Sequence, residues 1–155
     1  MSPNEVPFIE KSARTTRLWL DELAQDLGRP DDQQYALRVL RGFLHTLRDR
    51  LPVAEIAHFG AQLPELLRGV YYEQWRPAKV PQRYHDLDTF LTRLADAAML
   101  AGETESAFAA EAAARVISRH VAQDELTKVG AALPRGIADL LRDAPVPHDP
   151  TAHRR

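Results

Sequence analysis

The sequence predicts an all-α fold of about eight helices, arranged as two related four-helix units packed as a pseudo-two-fold bundle. Three observations carry that expectation. Apolar residues recur at spacings of three and four along most of the chain, with no convincing alternation of apolar and polar positions. The stretch Gly60-Ala-Gln-Leu-Pro64 returns seventy residues later as Gly130-Ala-Ala-Leu-Pro134. The 155 residues contain no cysteine, so the fold must stand on packing, without disulfides or thiolate-held metals.

The elements follow in order. From about Ser12 to Leu27, Leu20, Leu23, Ala24 and Leu27 mark one amphipathic helix, with Gly28 at the usual stop position. After Pro30, Ala36, Leu40, Phe43, Leu44, Leu47 and Leu51 form a single stripe, and Asp31 and Gln34 are spaced like a capping box. Pro52 interrupts this second helix, because its ring removes a donor and clashes with the preceding turn. A third helix, about Val53 to Leu63, turns Ile56, Phe59 and Leu63 inward. Pro64 separates it from a fourth, in which Leu66, Leu67, Val70 and Tyr71 share a face. Glu73 to His85 holds Pro77 and Pro81 and reads as a linker.

Phe90, Leu91, Leu94, Ala95 and Ala98 then mark a fifth helix. An alanine-rich sixth runs from about Glu105 to Val121, a seventh from Gln123 to Leu133 and an eighth from Pro134 to Arg142. The expected organisation is an N-terminal arm (1–11) and one helical domain (12–143), which divides into repeat one (12–76), a linker (77–85) and repeat two (86–143). A disordered tail (144–155), rich in proline and without periodicity, is expected to follow.

A shift of seventy residues superposes the two repeats: Leu47 falls on Ile117, Leu51 on Val121, Ile56 on Leu126, Phe59 on Val129, Gly60 on Gly130 and Pro64 on Pro134. The shared positions are core-facing or helix-breaking. Leu-Pro makes the corner in each unit, and the small glycine is expected to let helices approach closely. The run LRDRLPVAEIAHFGAQLPELLRGVYYEQWRP (47–77), with Phe90 beyond it and the weaker GAALPRGIADLL (130–141), resembles the domain of unknown function 2267 family (DUF2267) of bacterial proteins. The similarity spans roughly Thr15 to Asp143. It implies an all-helical, repeat-containing soluble domain and brings no catalytic residues.

Composition narrows the function classes. Hydrophobic residues make up 45% and charged residues 27% of the chain, and the net charge is −2, so there is no global excess of cations for nucleic acid. No apolar run suggests a membrane span, and the first residues lack a secretory signal, which leaves the cytoplasm as the expected location.

Glu55-Ile-Ala-His58 has the spacing found in di-iron carboxylate bundles, but its repeat is Glu125-Leu-Thr-Lys128 and His58 lies off the inward stripe, so no metal or other cofactor is expected. A helix-turn-helix reading of AEIAHFGAQLPELLR is weak, since Pro64 and Glu65 occupy the start of the would-be recognition helix. Arg38, Arg41, Arg48 and Arg50 give the second helix a basic side, read as mixed solvated surface, and nucleic acid is an unfavoured partner. Ser2, Ser12, Ser106, Ser118, His45 and His120 lie in no recognisable catalytic context, so catalytic residues are not assigned.

The remaining signal is the asymmetry of the repeats. Gln62, Arg68, Tyr72, Trp75 and Arg76 have no like counterparts in the second unit. They form the candidate interaction surface of a non-enzymatic module that binds a protein partner or another copy of itself, given the prominence of Trp, Tyr and Arg at interface hot spots. Two alternatives stay open. Tyr71 and Trp75 could instead pin the linker and close the core, and the Arg68 to Trp75 segment could serve a small helical enzyme or ligand-binding protein.

Overall fold

A computed structural model describes residues 4–142, in which eight α-helices and no strand are found. In chain order these are α1 (Pro7–Asp26), α2 (Gln33–Arg50), α3 (Val53–Gly60), α4 (Glu65–Tyr71), α5 (Leu87–Ala98), α6 (Glu103–His120), α7 (Gln123–Ala131) and α8 (Arg135–Arg142), with a single 3-10 turn at Pro77–Lys79 between α4 and α5. The expected tail, 144–155, lies outside the described residues.

Two boundaries differ from expectation for local reasons. Helix α1 starts at Pro7, earlier than Ser12, because proline at the first position needs no hydrogen bond from its missing N–H. The cap of α2 is Asp32, whose carboxylate accepts from the Tyr35 amide at 2.9 Å; Asp31 and Gln34 form no capping box.

The Leu-Pro corners share two backbone hydrogen bonds. Leu63 N donates to Gly60 O at 3.1 Å and Leu133 N to Gly130 O at 3.2 Å. Arg68 N reaches Pro64 O at 2.8 Å and Ala138 N reaches Pro134 O at 2.9 Å. Much of the element pairing has a counterpart in the other unit, although α7–α8 packing is matched by no comparable α3–α4 packing. The α1–α2 packing answers α5–α6, α2–α5 answers α6–α1, α2–α4 answers α6–α8, and α1–α4 answers α5–α8; α2–α6 and α3–α7 join like to like.

One core runs through both units. Phe43 of α2 meets Phe90 of α5 edge to face at 5.7 Å, while Trp19, Leu23, Leu40, Leu44, Leu47, Ile56, Phe59 and Leu94 are all buried. Helix α6 is enclosed by α1, α2, α5 and α8, and its buried positions are mostly alanines, among them Ala109, Ala110, Ala112, Ala113 and Ala114. Small side chains let four neighbours approach one helix.

The close approach expected at the repeated glycine is found at a different one. A Cβ on Gly42 of α2 would lie 2.8 Å from the Ala98 Cβ and 3.1 Å from its backbone nitrogen, so α2 and α5 cross there nearly in backbone contact. At Gly60 the space is taken by side chains: an added Cβ would meet the Tyr72 hydroxyl at 2.6 Å and the Tyr71 ring at 3.0 Å. At Gly130 it would meet only the Ala138 Cβ, at an ordinary 3.6 Å. Leu66, expected inward, is 50% exposed, whereas Leu67 beside it is buried.

Candidate functional site

The segment that follows the first Leu-Pro corner is tied down from two directions. Arg68, one turn into α4, donates from Nε to Gly60 O at 2.9 Å and from an Nη to Leu63 O at 2.9 Å and Ala61 O at 3.3 Å. It thereby adds a cation to the carbonyls at and just beyond the end of α3, Gly60 O among them although it also accepts from Leu63 N, where the helix dipole favours one. Ala138 stands at this position in the second unit, and no side chain among the described residues does the same for α7. Tyr71 is fully buried, with its hydroxyl donating to Ile56 O at 2.9 Å, and burial holds its pKa above the ordinary tyrosine value. Tyr72 is half-buried over Gly60, and its ring packs at 5.4 Å from that of Trp75.

The second anchor is Arg48, which the sequence places on a solvated basic side of α2. It is only 3% exposed. Its Nη1 donates to Tyr71 O at 2.6 Å and Glu73 O at 2.7 Å, and its Nε to Asp49 at 2.9 Å, so a guanidinium buried among carbonyls receives the chain as it leaves α4. Of the other three arginines in that set, Arg41 pairs with Glu73 at 3.2 Å and Arg38 lies over the Tyr35 ring. Arg50 donates to Tyr84 O at 2.8 Å.

Farther along, Gln82 N donates to Asp49 O at 2.8 Å, and Val80–Pro81 is a cis peptide. Tyr84 is buried between two cations: Arg93 lies 4.9 Å and Arg50 5.7 Å from its ring centre. Burial pushes its hydroxyl up to about 12, against the opposing pull of those two guanidiniums. The linker is therefore a fixed strap across α2 and α5.

The five sequence-predicted surface residues separate into two groups. Arg68 and Tyr72 are engaged inside the molecule, Arg68 against the carbonyls at the end of α3 and Tyr72 as the filling over Gly60. Gln62 and Arg76 are exposed, and Trp75 is half-buried with an indole N–H that finds no partner. Gln74, Trp75 and Arg76 line a shallow hollow of about 420 Å³, and Gln74 is one of two non-glycine residues with positive φ among those described. The strap residues Lys79, Arg83 and Tyr84 and the α5 residue Arg93 carried no motif, and Arg50 read only as part of the basic side of α2. The available signal was compositional, because Pro77 to His85 carries three basic side chains and no acid.

His45 and His120 and the described serines Ser12, Ser106 and Ser118 have structural partners. His45 donates Nε2–H to Val70 O at 2.6 Å, and burial lowers its pKa. His120 meets Glu22 at 2.6 Å and stacks on Trp19 at 4.8 Å, joining α6 to α1. Ser12 donates to Glu65, Ser106 to Leu91 O and Ser118 to Leu141 O, while Ser2 lies outside the described residues. The His58 side chain is 62% exposed and 3.9 Å from Glu55, and no group of three metal-ligating side chains is assembled among the described residues. No described helix is long and apolar enough to cross a membrane. A family described as "Uncharacterized conserved protein (DUF2267)" matches residues 16–140. No curated protein matches the chain.

Proposed function

This chain belongs to the DUF2267 family, and we propose that it acts in the cytoplasm as a non-enzymatic protein-binding or assembly module. In this reading its two four-helix units pack about a pseudo-two-fold, and the tip formed after α4 is the docking surface. The observation that carries the proposal is the side-chain arrangement at that tip. Trp75 is half-buried, with its indole N–H on the buried side and part of its ring outside, Arg76 beside it is exposed and forms no ion pair among the described residues, and the two border the hollow with Gln74. The exposed part of the Trp75 ring gives apolar contact area and the Arg76 guanidinium gives directional donors, which is what interface anchors need. Arg68 and Tyr72 serve the surface indirectly, by fixing the corner on which it is carried.

The partner is a protein or a second copy of this chain. Affinity capture from the native cell and the sedimentation mass of the pure protein together test this. Arg76→Glu is expected to leave stability within about 0.5 kcal/mol of the parent, as an exposed change does, while abolishing capture or self-association. Trp75→Ala is expected to weaken both association and stability. If the parent and both variants capture the same proteins and sediment alike, the reading fails.

A further inference from the structure

A second surface on the opposite stretch of the linker is independent of the Trp75 tip. Lys79, Arg83 and His85 from the strap, Arg50 from α2 and Arg93 from α5 line one open cleft of about 810 Å³. The rest of its wall is Ala78, Val80, Pro81 and Gln82, so no carboxylate faces into it. Some arginines elsewhere are neutralised, since Arg41, Arg48, Arg115 and Arg119 each have a carboxylate within ion-pair distance, while others such as Arg17 and Arg76 stand singly on the surface. Among the described residues, Arg50, Lys79, Arg83 and Arg93 have none. Asp49 and Asp86 lie close enough to act on the Tyr84 hydroxyl, but neither lines the cleft, and Asp86 caps α5 through the Thr89 amide.

Gathering cations in a concave surface costs repulsion that a chain of net charge −2 has acids enough to relieve; here Asp49 and Asp96 share a neighbouring hollow with Arg93, but no carboxylate lines the cleft itself. The cations are also set in place. Arg50 Nε is held by Tyr84 O at 2.8 Å, an Arg93 Nη donates to Gln82 Oε1, and both guanidiniums rest against the Tyr84 ring. A guanidinium has five N–H donors, and each of these two engages one of them internally, so most of their hydrogen-bonding capacity is available to a ligand.

We infer that this cleft binds a small soluble ligand carrying two or more linked phosphate groups. Its volume falls in the range of small-molecule sites. Four permanent cations within one cleft call for a compact counter-charge, and linked phosphates supply several charges and many acceptor oxygens in that space. An acidic peptide spreads its charges along an extended chain and needs apolar wall for its stems, which only Ala78, Val80 and Pro81 provide. No Phe, Tyr or Trp lines the cleft to stack a nucleobase, so recognition rests on the phosphates.

Calorimetric titration of the full chain with inorganic tripolyphosphate tests the inference. One saturable site is expected, with affinity falling steeply as salt is raised. Arg83→Ser and Lys79→Ser, both exposed and outside the internal bonds, are each expected to weaken binding about tenfold without moving the thermal midpoint of the free protein. Arg17→Ser, exposed on α1 and outside the cleft, is expected to leave binding unchanged. Absence of saturable binding at low salt overturns the inference, as does an equal loss in Arg17→Ser, which would mean diffuse attraction only. Hexaglutamate, a short DNA duplex or anionic phospholipid vesicles binding more tightly than tripolyphosphate would also overturn it, by assigning the cleft to another class. Loss of tripolyphosphate binding in the cleft variants with association intact, and the reverse in Arg76→Glu, would separate this site from the docking tip.

Discussion

His45 joins α2 to the last turn of α4 through a 2.6 Å bond to the Val70 carbonyl, which only its Nε2–H can make as a donor. Burial is the largest influence on its pKa and lowers it; the carbonyl bond opposes that shift, Arg48 reinforces it, and Glu73 and Asp49 oppose it more weakly. The folded chain thus takes up this proton later on acidification than the unfolded chain does. The stability contributed by neutral His45 is therefore present above the ordinary histidine pKa of about 6.5 and is lost as pH falls through that value towards the lowered one. The lowered carboxylates of Glu65, Asp86 and Glu105 act in a separate, more acidic window, because each contribution persists above the unfolded carboxylate pKa and disappears below it. Urea midpoints at pH 7.5 and pH 5.5 should therefore fall for the parent and fall less for His45→Gln, whose amide can still donate to Val70. Equal falls in the two proteins would show that His45 does not carry the effect.

Among the elements, the tightest constraint is the crossing of α2 over α5. Gly42→Ala forces a methyl group against Ala98, including its backbone at 3.1 Å, and neither helix can retreat from the shared core that Phe43 and Phe90 fill. A loss of about 1–3 kcal/mol is expected for such overpacking. Gly130→Ala in α7 is the contrasting case, since its new methyl would sit 3.6 Å from Ala138 and alanine is the better helix former; a change between neutral and about 0.5 kcal/mol of gain is expected. Chemical denaturation of both variants checks the pair, and a Gly42→Ala protein as stable as the parent would remove the close-crossing argument.

The two glycines also mark what was legible beforehand. Helix periodicity, the Leu-Pro corners and the seventy-residue repeat are local or self-referential patterns, and they predicted the element order. Which glycine lies under a crossing helix depends on the placement of α5 against α2, and no spacing within α2 contains that. Arg48 was hidden for the same reason: its position on α2 reads as basic surface until the end of α4 brings two carbonyls over it. The outward positions of Gln62 and Arg76 were readable, whereas the inward use of Arg68 required knowing that its side chain folds back on α3. The cation cleft assembles Arg50, the strap and Arg93 from three elements, so only its strap portion left a trace in composition.

Across the whole molecule, the repeat does not divide the chain into independent folding bodies. Helices α2 and α5 share the Gly42–Ala98 crossing, α1 and α6 share the Trp19–His120 stack with Glu22 and Asp26 facing Arg119, and α3 rests on α7. Separating the units would expose Phe43, Phe90 and Trp19 together, and at about 25 cal/mol per Å² such rings are among the largest apolar losses available to a chain of this size. Neither unit keeps a closed core without the other, so unfolding should be a single cooperative event. The two tryptophans make this measurable, because Trp19 sits at the α1–α6 junction and Trp75 at the linker tip. In a Trp75→Phe variant all indole fluorescence reports on the junction, and its urea transition should coincide with that of helical circular dichroism. The parent, which also reports from the tip, should show the same coincidence, and residues 12–76 alone should give no cooperative transition. A junction signal that melts before the helical signal would show that the units part first and fold separately.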